Sequence, residues 1–166
     1  ERSATGPMAE VIVSSLQYVS DGDVRAIATY LRTLPPSDQS PAAIDDNLRR
    51  EEKQAIIANG ARLYEQHCVN CHQAGGQGVA SVYPALAGNH AVTAAMAANP
   101  IRLVLHGGFG PATTGNPCPY GMPPFAQVMT DNEIASVVTY IRNAWGNQAS
   151  AVSARDVNQY RSQEGL

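Results

Sequence analysis

Lysine is nearly missing from this chain: ten of its eleven basic residues are arginine, and Lys53 is the exception. A lysine-rich docking face is therefore excluded. With a pI near 5.7 and no basic cluster, so is nucleic acid as a partner. No apolar run approaches the roughly 18 residues that a transmembrane segment needs. The chain has no N-terminal charged-then-apolar segment, so an export signal is expected to lie outside these residues or to have been removed. Bulky apolar side chains are also scarce. Isoleucine, leucine, valine and phenylalanine total 33 of 166 residues, at the edge below which a packed core becomes doubtful, yet a net charge of −3 argues against disorder. Alanine (25) and glycine (14) supply much of the small bulk. A chain so composed closes a core when something else fills it, such as a cofactor.

What is present reads as helix. Residues 20–33 carry Val24, Ile27, Ala28 and Leu31 at helical spacing behind a Ser20/Asp23 capping box, and Pro35-Pro36 ends the run. Residues 51–66 place Ile56, Gly60, Leu63, Tyr64 and His67 on one face, with Glu51 and Glu52 suited to the N-terminal dipole. Gly60 inside that helix costs about 1 kcal/mol relative to alanine, which a close helix–helix crossing would explain, a merely tolerated glycine being the bland alternative. Short helices are expected at 93–98 and 100–106, then a long irregular segment at 107–125 with five glycines and five prolines. Residues 131–144, capped by Thr130 with Glu133, bear the stripe Ile134, Val137, Val138, Ile141 and Trp145. The tail after Gly146 is polar and reads as loose.

One internal repeat stands out. Asp21, Thr29, Tyr30 and Arg32 match Asp131, Thr139, Tyr140 and Arg142 at an offset of 110, and most intervening positions are conservative. Gly-Pro-Met at 6–8 and Gly-Met-Pro at 121–123 precede the two helices at comparable distances. Shared amphipathic-helix chemistry could produce part of this. A true repeat divides the chain into the end of a preceding unit (1–36), a linker (37–50), the main domain (51–147) and a polar tail (148–166). Exposed apolar residues of 20–33 then need a cover, from the main domain or by self-association.

Cys68-Val69-Asn70-Cys71-His72 carries the chemistry. Two cysteines three apart followed at once by histidine form the attachment motif for a c-type haem. Cys68 and Cys71 reach the two vinyl groups of one porphyrin edge as thioethers, and His72 aims its imidazole at the iron. A thioredoxin-type CxxC wants a βαβ pattern, a structural zinc site wants two further paired ligands, and a plain disulfide leaves His72 unexplained. The sixth iron position falls to Met122, 50 residues beyond His72, in the stiff loop Tyr120-Gly121-Met122-Pro123-Pro124-Phe125. Met96 and Met129 read as packing, and His90 and His106, the alternative bis-histidine ligands, read as surface or core histidines. His/Met ligation gives a relatively high potential. Cys118, the odd cysteine, reads as a buried inert thiol, with an intermolecular disulfide as the sharper alternative. Tyr64, Tyr83, Tyr140 and Trp145 read as packing near the haem or the helix crossing.

With these elements, residues 51–147 resemble a class I cytochrome c domain, an all-α bundle wrapped around one covalently bound haem c. The resemblance implies that Gly60, Tyr64 and Tyr140 form the crossing of the first and last helices. It also implies that the carbonyl of Pro84 accepts a hydrogen bond from the proximal histidine, and that Tyr120 borders the cofactor. Tyr83–Asn89, His106–Gly108 and Tyr120–Phe125 are similar to the last domain of the triple-haem cytochrome c subunit of membrane-bound bacterial alcohol- and aldehyde-type dehydrogenases. There Met8 would serve the preceding haem, but this chain has no second CxxCH to go with it. The expected function is periplasmic electron transfer, peripheral to the inner membrane. Electrons pass from a dehydrogenase catalytic subunit towards quinone or a terminal oxidase, with no catalysis by the chain itself. The alternative is a haem peroxidase or gas sensor with a displaceable sixth ligand.

Overall fold

In the computed structural model, which describes Ala4, residues 7–35 and residues 48–162, the apolar stripes become helices and set the packing. The order is α1 (Pro7–Ser14), a 3-10 turn (Leu16–Tyr18), α2 (Asp21–Thr33), α3 (Arg50–His67), α4 (Val69–His72), α5 (His90–Thr93), α6 (Ala98–His106), β1 (Gly108–Phe109), β2 (Gly121–Met122), α7 (Asp131–Ile141) and α8 (Ala154–Arg161). The helices expected at 20–33, 51–66, 100–106 and 131–144 are α2, α3, α6 and α7, with small shifts at their ends. The helix expected at 93–98 forms earlier as α5, because the Asn89 side chain accepts the Ala91 N–H at 3.0 Å and caps it. Residues 37–47 of the expected linker lie outside the described residues. No described helix is long and apolar enough to cross a membrane.

The core is built on α7. Its stripe Ile134, Val137, Val138 and Ile141 is buried, each such side chain contributing about 1.5–3 kcal/mol. Helix α3 packs across α7, and Gly60 sits at the crossing. A Cβ there would run into the Ser136 carbonyl and Tyr140 Cβ, so the glycine is required by close approach of two backbones. Beside it, Tyr64, Tyr140 and Trp145 form a triangle with ring centroids 5.1–5.4 Å apart. One short antiparallel ladder interrupts the helices, pairing Gly108 with Met122 and Phe109 with Gly121.

Two departures from the sequence expectations have physical causes. The tail is not loose: Ser153 caps α8, and Val152 and Val157 are buried against the domain. Two valines in a polar stretch are too few to show a stripe, yet each finds a place prepared by α7. Thr139 Oγ1 accepts the Val152 N–H at 2.9 Å, and the buried Arg142 guanidinium donates to the Ser150 carbonyl at 3.0 Å and to the Val92 carbonyl at 2.7 Å. The second departure is α1, unread in the sequence. It belongs to an N-terminal segment that touches the domain through Gln17, whose side-chain oxygen accepts the Thr114 N–H at 3.3 Å. The α2 stripe of Val24, Ile27 and Leu31 is exposed.

Helix α8 is fastened by Arg161, which pairs with Asp131 at 2.6 Å and donates to the carbonyls of Met129 and Ala126. Desolvation pushes the Asp131 carboxyl up. Hydrogen bonds from Arg161 and Asn158 and the Arg161 charge together outweigh it and hold the group below the usual carboxylate range. The pair therefore stabilises fully above about pH 4, and its contribution is lost as pH falls through the lowered folded value. Asp131→Asn is expected to cost about 1–2 kcal/mol in chemical unfolding of the haem-loaded protein at pH 7. The gap to wild type should close as pH falls below the usual carboxylate range.

Candidate functional site

The site begins where α3 ends. Cys68 caps that helix and the chain continues helically, with Cys71 N–H and His72 N–H both donating to the Cys68 carbonyl at 3.2 and 2.9 Å. This turn brings Cys68, Cys71 and His72 to the wall of one cavity of about 390 Å³, within the range of sites that take cofactor-sized ligands. Further walls come from Tyr64 of α3, Leu103 and Val104 of α6, Phe125, and Val137 and Ile141 of α7. No disulfide joins the two cysteines. Burial above all, and then the neighbouring Cys71, pushes the Cys68 thiol up to about 11.

His72 is held in one tautomer. Its Nδ1 lies 3.0 Å from the Pro84 carbonyl, which can only accept, so Nδ1 carries the proton and Nε2 keeps a lone pair. Burial lowers the imidazole's affinity for a second proton, and the Pro84 contact offsets this in part. A neutral ring with an available nitrogen is what iron ligation requires. The Pro84 carbonyl is in turn fixed by a folded-back loop. Val79 and Tyr83 form an isolated antiparallel bridge, and Gly78 N–H donates to the His72 carbonyl at 3.0 Å. Gly78 has φ of +63°, and a Cβ there would press on the Pro84 carbonyl. At the loop's start, Tyr64 donates to the Gln73 carbonyl at 2.7 Å and Trp145 to the Ala74 carbonyl at 2.9 Å. The aromatic triangle of the crossing thus also steers the histidine loop.

Met122 reaches the same cavity from the other end of the domain's sequence. Its strand β2 pairs with β1, and the chain beyond is tied to α6 by Phe125 N–H on the Val104 carbonyl (2.9 Å) and Ala126 N–H on the Leu105 carbonyl (3.1 Å). Met122, Pro84 and Tyr120 all line the cavity, Tyr120 at its mouth, 63% exposed and with its ring 5.4 Å from that of Tyr83. Met96 is exposed, Met129 is buried in the core, His90 and His106 are exposed, and none of the four lines the cavity. His67 does line it, edge-on to Phe125 at 5.8 Å. Sequence reasoning passed over it as a helix-face residue, although its place directly before Cys68 was a signal. Cys118 is corrected: it is exposed, because the irregular segment around it offers no element to bury a side chain.

These residues fit a covalently held haem. Two thiols, a neutral imidazole nitrogen and a thioether converge on apolar walls that the chain's own side chains leave unfilled. The comparisons agree. The family model for cytochrome c matches residues 57–145. The chain belongs to the cytochrome c family.

Its class I fold is an all-α bundle with a small two-stranded sheet, and domains of this family bind haem c covalently and transfer electrons rather than catalyse. The chain is 35% identical over 161 residues to the cytochrome c subunit of alcohol dehydrogenase (quinone) from Gluconacetobacter polyoxogenes, covering 94% of this chain and 34% of that one. It is 36% identical over 169 residues to the gluconate 2-dehydrogenase cytochrome c subunit of Pantoea cypripedii, covering 98% and 38%. Cytochrome c-552 of Thermus thermophilus is 38% identical over 94 residues, covering 54% of this chain and 70% of that protein. The chain thus spans about a third of the length of the dehydrogenase subunits that it matches.

Gly78→Ala tests the fixing of Pro84. It combines a left-handed backbone with a Cβ against the Pro84 carbonyl, so it should lower the stability of the haem-loaded protein by about 1–3 kcal/mol in guanidinium unfolding.

Proposed function

We propose that this cytochrome c domain is a periplasmic one-electron relay, receiving electrons from a dehydrogenase catalytic subunit and delivering them towards quinone or a terminal oxidase, at the outer face of the inner membrane. The convergence of His72 and Met122 on one apolar cavity is the observation that carries the reading. A bound haem supplies a one-electron couple at its iron. The chain's own residues do the rest. Cys68 and Cys71 would hold one edge of the group, and the Pro84 carbonyl keeps His72 turned so that Nε2 would be free to ligate the iron. The Met122 thioether would be the chain's second ligand to the iron, and its soft sulfur would favour the reduced metal. Leu103, Val104, Phe125, Val137 and Ile141 keep water away, so a change of oxidation state moves few solvent dipoles. A methionine thioether lining the same cavity as His72 supports electron transfer over peroxidase or gas-binding chemistry, which need an open position.

Residues 1–36 are read as the closing part of a preceding cytochrome c-like unit. Asp131, Thr139, Tyr140 and Arg142 each have work in the main domain, binding Arg161, Val152, the aromatic triangle, and the carbonyls of Val92 and Ser150. Their counterparts Asp21, Thr29, Tyr30 and Arg32 lie exposed on α2, which supports a matching neighbour for that face. The names of the dehydrogenase subunits that match nearly the whole chain support the choice of donor.

The test is the haem-loaded protein itself. Pyridine haemochrome with intact mass should give one covalent haem per chain. Met122→Ala should lower the midpoint potential by on the order of 0.1 V, within the roughly 0.8 V that axial ligands span, and should let carbon monoxide bind the reduced form. An unchanged potential and spectrum would assign the position to another residue, with His67 the first candidate. Rapid carbon monoxide binding by the wild type would favour the gas-binding reading.

A further inference from the structure

We propose that Arg161, at the end of α8, is a positioning residue for Met122: it fixes the far leg of the methionine loop and so keeps the thioether in the cavity. This rests on the reading of Met122 as an iron ligand and adds what holds it there.

Helix α8 lies beyond residues 57–145, which the family model matches, so its hold is an addition to the matched domain. It is docked in several directions. Val157 is fully buried, the Arg102 guanidinium of α6 sits 5.2 Å from the Tyr160 ring centre, and Asn158 donates to Asp131 at 3.0 Å. Arg161 uses all three nitrogens of its guanidinium. Nε donates to Asp131 at 2.6 Å, Nη1 to the Ala126 carbonyl and Nη2 to the Met129 carbonyl at 2.9 Å. A planar fork lets one side chain span a carboxylate and two carbonyls.

The place of those two carbonyls decides the consequence. Residues 125–129 form the turn that ends the methionine loop, closed by Met129 N–H on the Phe125 carbonyl at 2.9 Å. Ala126 is gripped from both sides. Its N–H donates to the Leu105 carbonyl of α6 at 3.1 Å, and its carbonyl accepts from Arg161 of α8. Between this grip and Met122 stand Pro123 and Pro124, whose fixed φ stiffens the link. On its other side the loop lies against Gly107, where a Cβ would collide with the Met122 carbonyl.

Met122 is therefore suspended between two anchors, β1 with Gly107 on one side and the 125–129 turn on the other. A stiff link passes a shift of the second anchor on to the thioether instead of absorbing it. Arg161 does not line the cavity, so it acts on the ligand only through this loop. Outer-shell partners of this kind orient metal ligands and set how firmly they are held.

The test compares wild type, Met122→Ala, Asp131→Asn, Arg161→Leu and Arg161→Lys, all haem-loaded. The readouts are the rate of carbon monoxide binding to the reduced form, the long-wavelength absorption of a thioether on iron(III), and guanidinium unfolding. Asp131→Asn and Arg161→Leu break the same ion pair, but only Arg161→Leu removes the two carbonyl bonds. Arg161→Leu should bind carbon monoxide about tenfold faster than wild type and lose most of the thioether absorption, approaching Met122→Ala. Asp131→Asn should stay close to wild type in both, although it unfolds more easily. If Arg161→Leu does not hold haem, Arg161→Lys decides. It keeps the charge beside Asp131 without the fork, and it should shift both readouts in the same direction. Unchanged binding and absorption in the Arg161 variants would overturn the proposal. So would an equal change in Asp131→Asn, which would reduce Arg161 to a stabilising ion pair. A wild type without the thioether absorption, binding carbon monoxide as fast as Met122→Ala, would instead sink the Met122 reading and the proposal with it.

Discussion

The close crossing of α3 and α7 at Gly60 is the constraint on which the rest depends. Two helices whose backbones nearly touch leave no room for a side chain between them, and the aromatic residues one turn along are pushed into a triangle beside the contact. Two members of that triangle, Tyr64 and Trp145, spend their polar atoms on the carbonyls of Gln73 and Ala74. The loop that carries the Pro84 carbonyl to His72 therefore starts from the crossing. A change in helix packing is transmitted to the tautomer and aim of a candidate iron ligand through two hydrogen bonds and a bridge.

The scarcity of large side chains acquires a meaning in the same frame. Helix α7 packs densely against α3, α6 and α8, while the region bounded by α4, α6 and the methionine strand stays open. The chain does not lack a core so much as leave part of one for a flat, apolar group to complete. Polar order surrounds that space. Arg142, fully buried, binds carbonyls of α5 and of the tail, so the walls are tied from behind.

Charge is arranged with equal economy. Ion pairs and caps lie at helix ends, as between Asp131 and Arg161, and stabilise local geometry. The middle of the chain, which forms the cavity and its rim, is almost without them.

Much was legible before any coordinates. Helical periodicity located α2, α3, α6 and α7, because an amphipathic stripe is a local signal. CVNCH declared its chemistry because its three reacting groups sit within five residues. Gly60 announced a close contact because nothing local excuses a glycine in a helix. The tail was misread, since Val152 and Val157 form no pattern of their own and are buried only because α7 offers Thr139 and Arg142 to the backbone beside them. Cys118 was misread for the converse reason: a residue's type suggests burial, but only neighbouring elements can supply it. The sharing of one cavity by Met122 and His72, the absence of Met96, Met129, His90 and His106 from its walls, and the presence of His67 there were beyond local reading. Each depends on which side chains of distant segments share one cavity, and that is decided by packing angles and a two-residue ladder, not by any window of sequence.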